Sequence, residues 1–281
     1  MKTDLTPLPP FNAAEILRSH GLRPDKRLGQ NFLQDDSALQ KIVAVAQITE
    51  TDTVLEIGPG LGSLTRYLAM AAKQVIAVEL DESLLPILKS VLRQWKNIRI
   101  IQGDILKLDI NEIITEDGFS VVANIPYYIT SAIMRHLLES HPQPQQIVLT
   151  LQNEVAQRIC AEPGDMSLLA LSVQVYGKPE IAASIPADAF YPPPKVDSSV
   201  IRVEIYPEPV IPAAQLEIFF RIAKAGFSQK RKTLRNSLSA GMAISPSSAE
   251  ELLKEAGVDP RRRAETLSIA EWSKLCSVVG E

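Results

Sequence analysis

The chain has 281 residues, 46% of them hydrophobic, enough to bury the core of one large domain and a small one. No apolar run approaches the roughly 20 residues needed to span a bilayer. The first ten residues are polar and proline-rich rather than a secretory leader, and the two cysteines, Cys160 and Cys276, lie too far apart for a disulfide framework or a zinc site. These features point to a reduced cytoplasm and to no metal. A net charge of −4 speaks against a general nucleic-acid coat protein, but the basic residues are clustered. One group holds Arg18, Arg23, Lys26 and Arg27, a second runs from Arg221 through Lys230, Arg231 and Lys232 to Arg235, and a third is Arg261-Arg262-Arg263.

In chain order, residues 1–25 read as a loose arm. Residues 37–47 carry apolar side chains at helical spacing. Strand-like runs at 53–57, 75–80, 98–102, 120–123 and 146–151 then alternate with helical stretches at 64–72, 82–93, 131–139 and 153–161. Such alternation predicts a mostly parallel sheet with helices on both faces. Residues 169–184 and 199–205 read as longer strands around a proline-rich loop, an antiparallel hairpin at one sheet edge. A linker follows at 206–212, then helices at 215–227, 230–240, 248–256 and 270–279. The expected organisation is an arm over 1–25, an α/β Rossmann-like domain over 26–207, and a small all-α domain over 208–281.

The first strand runs into Gly58-Pro59-Gly60-Leu61-Gly62 and a helix. Glycines there let the backbone turn sharply and approach a ligand, at the crossover where nucleotide-like cofactors bind. The spacing differs from the dinucleotide fingerprint, which has two residues before its third glycine. Glu79 ends the second strand, where it can accept hydrogen bonds from ribose hydroxyls. Asp104 follows the third, where it can accept one from an adenine amino group. A neutral turn suits S-adenosylmethionine, which has no pyrophosphate for a helix N-terminus to hold.

After the fourth strand comes Asn124-Ile125-Pro126-Tyr127. An adenine amino nitrogen is a poor nucleophile, because its lone pair is delocalised into the ring. The Asn124 side-chain oxygen and the Ile125 carbonyl can hold the two amino hydrogens and aim the lone pair at a methyl group. Pro126 fixes the local backbone, and Tyr127 offers a face on which an extruded base stacks. Phe190, in the loop Phe190-Tyr191-Pro192-Pro193-Pro194-Lys195, is a candidate second wall for that base. His20, His136 and His141 fall in no motif and are expected at the surface without a role.

Several blocks together resemble the ribosomal RNA adenine dimethyltransferases, specifically the bacterial small-subunit (KsgA/RsmA) type. They are Lys26-Arg27-Leu28-Gly29-Gln30-Asn31-Phe32-Leu33, the stretch from Glu56 to Thr65, Val78-Glu79-Leu80-Asp81, Asn124 to Tyr127, Pro192 to Val200, and Phe227 to Asn236, covering nearly the whole chain. The resemblance implies transfer of two methyl groups to each of two adjacent adenosines in the 3′-terminal hairpin of 16S rRNA, within the immature 30S subunit. It implies that Gln30, Asn31 and Leu33 border S-adenosylmethionine, that Gly58, Gly60, Glu79, Asp104 and Asn124 contact it, and that Tyr127 and Phe190 hold the base. It also gives Lys230, Arg231, Lys232 and Arg235 a role on RNA phosphates. One departure is Tyr128, where many relatives carry a smaller polar residue, which bears on the pocket rim. No oligomer is indicated, so a monomer is expected. The competing readings are the related large-subunit dimethyltransferase of macrolide resistance, a non-catalytic ribosome assembly factor, and a dinucleotide-dependent oxidoreductase.

Overall fold

The computed structural model describes residues 8–126 and 129–280. The chain opens with helix α1 (Ala13–Ser19), strand β1 (Phe32–Leu33) and helix α2 (Asp36–Ala46). The alternating region follows as β2 (Thr53–Ile57), α3 (Ser63–Ala71), β3 (Gln74–Glu79), α4 (Leu85–Val91), β4 (Ile98–Gln102), α5 (Ile110–Ile113), β5 (Ser120–Asn124), α6 (Thr130–Leu138) and β6 (Gln146–Gln152). Then come α7 (Asn153–Ile159), α8 (Leu168–Gln174), β7 (Gly177–Ile185), β8 (Phe190–Tyr191) and β9 (Ser198–Ile205). The last four helices are α9 (Leu216–Phe227), α10 (Leu234–Met242), α11 (Pro246–Glu255) and α12 (Ile269–Gly280). Among the described residues no helix is long and apolar enough to cross a membrane.

The main sheet has the order β4-β3-β2-β5-β6-β9-β7. Its first five strands are parallel, and β9 runs antiparallel to β6 from Gln146↔Glu204 to Gln152↔Ser198. The central strands are buried on both faces, as parallel strands covered by helices must be. Val54, Leu55, Val121, Val122, Ile147, Val148 and Leu149 are all fully buried. The strand order reverses between β2 and β5, so the carboxyl ends of β2, β3, β4 and β5 flank the crevice where such sheets bind ligands.

Three expectations change. The described part of the expected arm, residues 8–25, is packed: Asn12 caps α1 by accepting from the Glu15 N–H, and Phe11, Ala13 and Leu17 are buried. Residues 168–174 are helix, not strand. Ser167 caps that helix by accepting from the Ala170 N–H, Leu and Ala dominate its first turn, and β7 starts only at Gly177. The helix expected from residue 230 begins at Leu234, so Lys230, Arg231 and Lys232 lie on the preceding turn.

The chain divides into two compact units. The first runs up to Ala156 and adds Glu180–Ile205, and the second combines Gln157–Pro179 with the residues from Tyr206 onward. The break near 205 lies close to the expected 207/208 boundary, but 157–179 belongs with the C-terminal helices. Backbone hydrogen bonds explain why. The N–H groups of Tyr206 and Val210 donate to the carbonyls of Tyr176 and Val175, and those of Gly164 and Met166 donate to Glu265.

In the second unit, Trp272 is buried and stacks on Phe227 with ring centroids 5.8 Å apart. Helices α9 and α10 pack closely at Gly241, where an added Cβ would fall 2.6 Å from the Ala225 backbone Cα. Gly241→Ala is therefore expected to destabilise this unit by about 1–3 kcal/mol, because backbone cannot yield as a flexible side chain would. Chemical denaturation checks this, and an unchanged midpoint would refute it. The third basic group is consumed internally: Arg261 pairs with Asp259, Arg262 with Glu271, and Arg263 with Glu265.

Candidate active site

A cleft open to solvent lies at the carboxyl ends of the parallel strands. One wall is the glycine turn after β2. Gly58 and Gly60 have φ of +67° and +57°, a region that disfavours side chains. A Cβ on Gly58 would meet nothing within 4 Å, so the backbone borders open space there. A Cβ on Gly60 would come within 3.1 Å of the Phe32 ring. That close approach lets the segment 28–33 form the opposite wall.

Glu79 ends β3 and is 5% exposed. Its Oε2 accepts from the Gly60 N–H at 2.9 Å and its Oε1 from the Asp81 N–H at 2.8 Å. Burial pushes its carboxyl up from the ordinary value, against the pull of those two N–H groups. Asp81 in turn accepts from Gln30 Nε2 at 2.7 Å, and Gln30 Oε1 accepts from the Asp25 N–H at 2.8 Å. One chain of bonds thus runs from the glycine turn through Glu79 and Asp81 to Gln30. Asp104 stands after β4, accepting from the Leu106 N–H at 3.1 Å, with Lys107 Nζ 3.8 Å away. Asn124 ends β5, and its Nδ2 donates to the Asn31 carbonyl at 3.2 Å.

The cleft therefore brings together Gln30, Asn31, Leu33, Gly58, Gly60, Glu79, Asp104, Asn124, Ile125 and Pro126 from five separate stretches of sequence. Tyr127 and Tyr128 lie outside the described residues. Phe190 is not brought to the cleft wall. It pairs with Leu33 in a two-stranded antiparallel ladder, is 2% exposed, and packs among Leu33, Ala189 and Val200. Its ring packs in the core cluster. None of the histidines lines the cleft. His136 departs from the expected surface position: it is half-buried and its Nε2 is enclosed without a partner.

The residue missed in sequence is Glu56. It lines the cleft, is 1% exposed, and burial pushes its carboxyl up to about 8. The signal was present: a lone acid in the apolar run Val54-Leu55-Glu56-Ile57 of a central strand. Such a residue is rarely fully buried without a task.

In the second unit Lys230, Arg231 and Lys232 are exposed. Arg235 differs. Its Nη1 lies 3.2 Å from Glu250 Oε2, and Glu250 also holds Lys254 at 2.8 Å.

Comparison with known proteins agrees with this geometry. The model of the ribosomal RNA adenine dimethylase family matches residues 21–279. The small-subunit ribosomal RNA methyltransferase A of Dehalococcoides mccartyi strain CBDB1 is 48% identical over 94% of this chain and 91% of its own. Among solved structures, the 23S rRNA methyltransferase ErmE has a TM-score of 0.72 at 29% identity, covering 89% of this chain and all of its own. A dimethyladenosine transferase from Plasmodium falciparum has a TM-score of 0.74 at 26% identity, over 87% and 95% of the two chains. The chain belongs to the ribosomal RNA adenine dimethylase family of S-adenosylmethionine-dependent methyltransferases.

Proposed function

We propose that this cleft holds S-adenosylmethionine and that the chain dimethylates the N6 nitrogens of two adjacent adenosines. The substrate is the 3′-terminal hairpin of 16S rRNA in the immature 30S subunit, and the protein acts as a cytoplasmic monomer. The observation that carries the reading is the fixed Asn124 amide on the wall of a cleft lined by Glu56, Glu79 and Asp104. The higher identity to a small-subunit methyltransferase than to the large-subunit enzyme supports the choice of subunit.

The lining suits the cofactor. Among the described residues it contains three carboxylates and no Lys, Arg or His, as a ligand with sulfonium and ammonium charges requires. Both Glu79 oxygens are oriented by backbone N–H groups, which leaves their remaining lone pairs for ribose hydroxyls. Asp104 is placed to accept from the cofactor's adenine. When bound, S-adenosylmethionine supplies a methyl group on a positively charged sulfur that leaves as a neutral thioether, so the transfer calls for no metal.

Asn124 governs the nucleophile. Its Nδ2 is committed to Asn31, so Oδ1 is the atom that accepts from the target amino group. With the Ile125 carbonyl, it orients the nitrogen lone pair toward the methyl carbon. The methylated nitrogen then sheds its proton to solvent without a dedicated base. Mass spectrometry of small-subunit rRNA tests the reading. Loss of dimethyladenosine is expected in cells lacking the protein, with restoration by the purified enzyme and S-adenosylmethionine. Activity on the large subunit alone would overturn it.

The exposed turn of Lys230, Arg231 and Lys232 is proposed to meet RNA phosphates, with Arg235 weakened for that task by Glu250. Replacing all three with alanine is expected to weaken RNA binding at low salt and flatten log K against log salt by about two to three. Cofactor affinity should not move. Filter binding across a salt series checks this, and an unchanged slope would remove the turn from the interface.

A further inference from the structure

We propose that Glu56 is a neutral carboxylic acid in the empty cleft and that it gives up its proton when the cationic cofactor binds. This rests on the placement of S-adenosylmethionine in the cleft.

The three acids of the lining are not equivalent. Glu79 has a backbone N–H on each oxygen, which favours its charged form. Asp104 has the Leu106 N–H and Lys107 beside it, and its side chain is 30% exposed. Glu56 has no such support. It is 1% exposed, and its Oε2 is enclosed without a hydrogen-bond partner. The groups facing it are the Thr65 hydroxyl from α3 and the Glu79 carboxylate from β3. The Thr65 hydroxyl pulls the Glu56 carboxyl down, but burial and repulsion from Glu79 outweigh it. Asp104, beyond β4, adds more negative charge to the cleft, and no basic residue among the described lining offsets it. Burial is the largest cause holding the Glu56 proton on, up to a pH of about 8.

An arriving cation reverses this balance. Positive charge in the cleft favours the ionised form of a neighbouring acid. The cofactor presents a sulfonium and an ammonium against one carboxylate, a net positive charge. Ionising Glu56 then sets a negative charge against the cation and gives its orphan oxygen a charged partner.

The sign follows from linkage. Binding favours the deprotonated acid, so affinity is highest above the Glu56 value and falls as pH drops below it, by up to about tenfold per unit. On the alkaline side an α-amino group loses its own proton near an ordinary value of about 7.7–8.0, which sets a second limb. Only the acid limb belongs to Glu56.

The test is calorimetry on the intact protein at pH 7, repeated in phosphate and in Tris, whose ionisation enthalpies differ. With S-adenosylmethionine, release of about one proton is expected. With 5′-methylthioadenosine, which keeps the nucleoside but carries no cation, release close to zero is expected. Glu56→Gln should bind S-adenosylmethionine without proton release and with an affinity flat from pH 6 to about 7.5. Wild-type binding with no proton release, or equal release by Glu56→Gln, overturns the proposal. If the variant folds poorly, the two ligands on the wild-type protein still decide, since equal release with both excludes a cation-driven step. Absence of any binding, or wild-type affinity in Glu79→Ala, overturns the cofactor placement itself and this proposal with it.

Discussion

Asn124→Ala is expected to lower single-turnover methylation of small subunits by at least about 10²–10³-fold, the usual effect of removing one hydrogen-bonding group that acts in the transition state. Two losses combine. The acceptor for the target amino hydrogens disappears, so the nitrogen lone pair is neither exposed nor aimed. The bond from Nδ2 to the Asn31 carbonyl also disappears, so the segment that faces β5 loses a tie to it. Asn124→Asp separates the two. It keeps an acceptor but cannot donate to a carbonyl, and its charge repels that oxygen. It is expected to retain more activity than alanine yet less than the wild type. Cofactor affinity should change by less than about tenfold in Asn124→Ala, because most of the cleft wall is untouched. Calorimetry beside a tritium-transfer assay would show the split. Unchanged methylation in the alanine variant would sink the proposed role.

Glu79→Ala should instead act on binding. We expect the dissociation constant for S-adenosylmethionine to rise by about 100-fold or more, near 2.8 kcal/mol. The side chain is lost as a partner for the ribose. The buried N–H of Gly60 also loses its acceptor, at a cost of about 1–3 kcal/mol, and the half-buried N–H of Asp81 loses its acceptor at a smaller cost. The glycine turn and the Asp81–Gln30 link should loosen together, since both hang on that carboxylate. Glu79→Gln keeps one acceptor but sets its NH₂ against a backbone donor, so it should fall between. Thermal unfolding with and without the cofactor reads both effects, with a lower melting temperature and a smaller ligand-induced rise. Binding within fivefold of wild type would contradict the reading.

Much of this was legible in the residues alone, for identifiable reasons. β2 and β4 fell on their expected bounds because short β-rich runs stop at glycine or at a polar turn. Gly58, Glu79, Asp104 and Asn124 converge because successive parallel strands end at one edge, so topology carries residues far apart in sequence to one cleft. The failures share a different cause. Residues 168–174 are mostly apolar, and periodicity cannot separate a buried strand from a buried helix there; the Ser167 cap decides. The arm looked loose because its order depends on distant partners. Arg66 Nη1 donates to the Pro9 carbonyl at 3.1 Å, and its guanidinium lies 4.7 Å from the centre of the Phe11 ring. Phe190 reads as a base platform, and its pairing with Leu33 and its burial are not visible in local sequence. Glu56 was passed over because a strand residue was credited with architecture alone.

That small ladder between β1 and β8 has a consequence for how the protein is made. Phe32 pairs with Tyr191 and Leu33 with Phe190, so one wall of the cleft waits for a partner almost 160 residues further along the chain. During synthesis at about 5–20 residues per second, the early segment spends several seconds without that partner. Over that interval the glycine turn and its carboxylates can form on the ribosome, but the wall facing them cannot be clamped. A nascent chain halted before residue 190 should therefore bind the methyl donor poorly however well its parallel strands have paired. The enzyme is therefore expected to gain its cofactor late in its own synthesis, when the loop after β7 has emerged to hold its first strand.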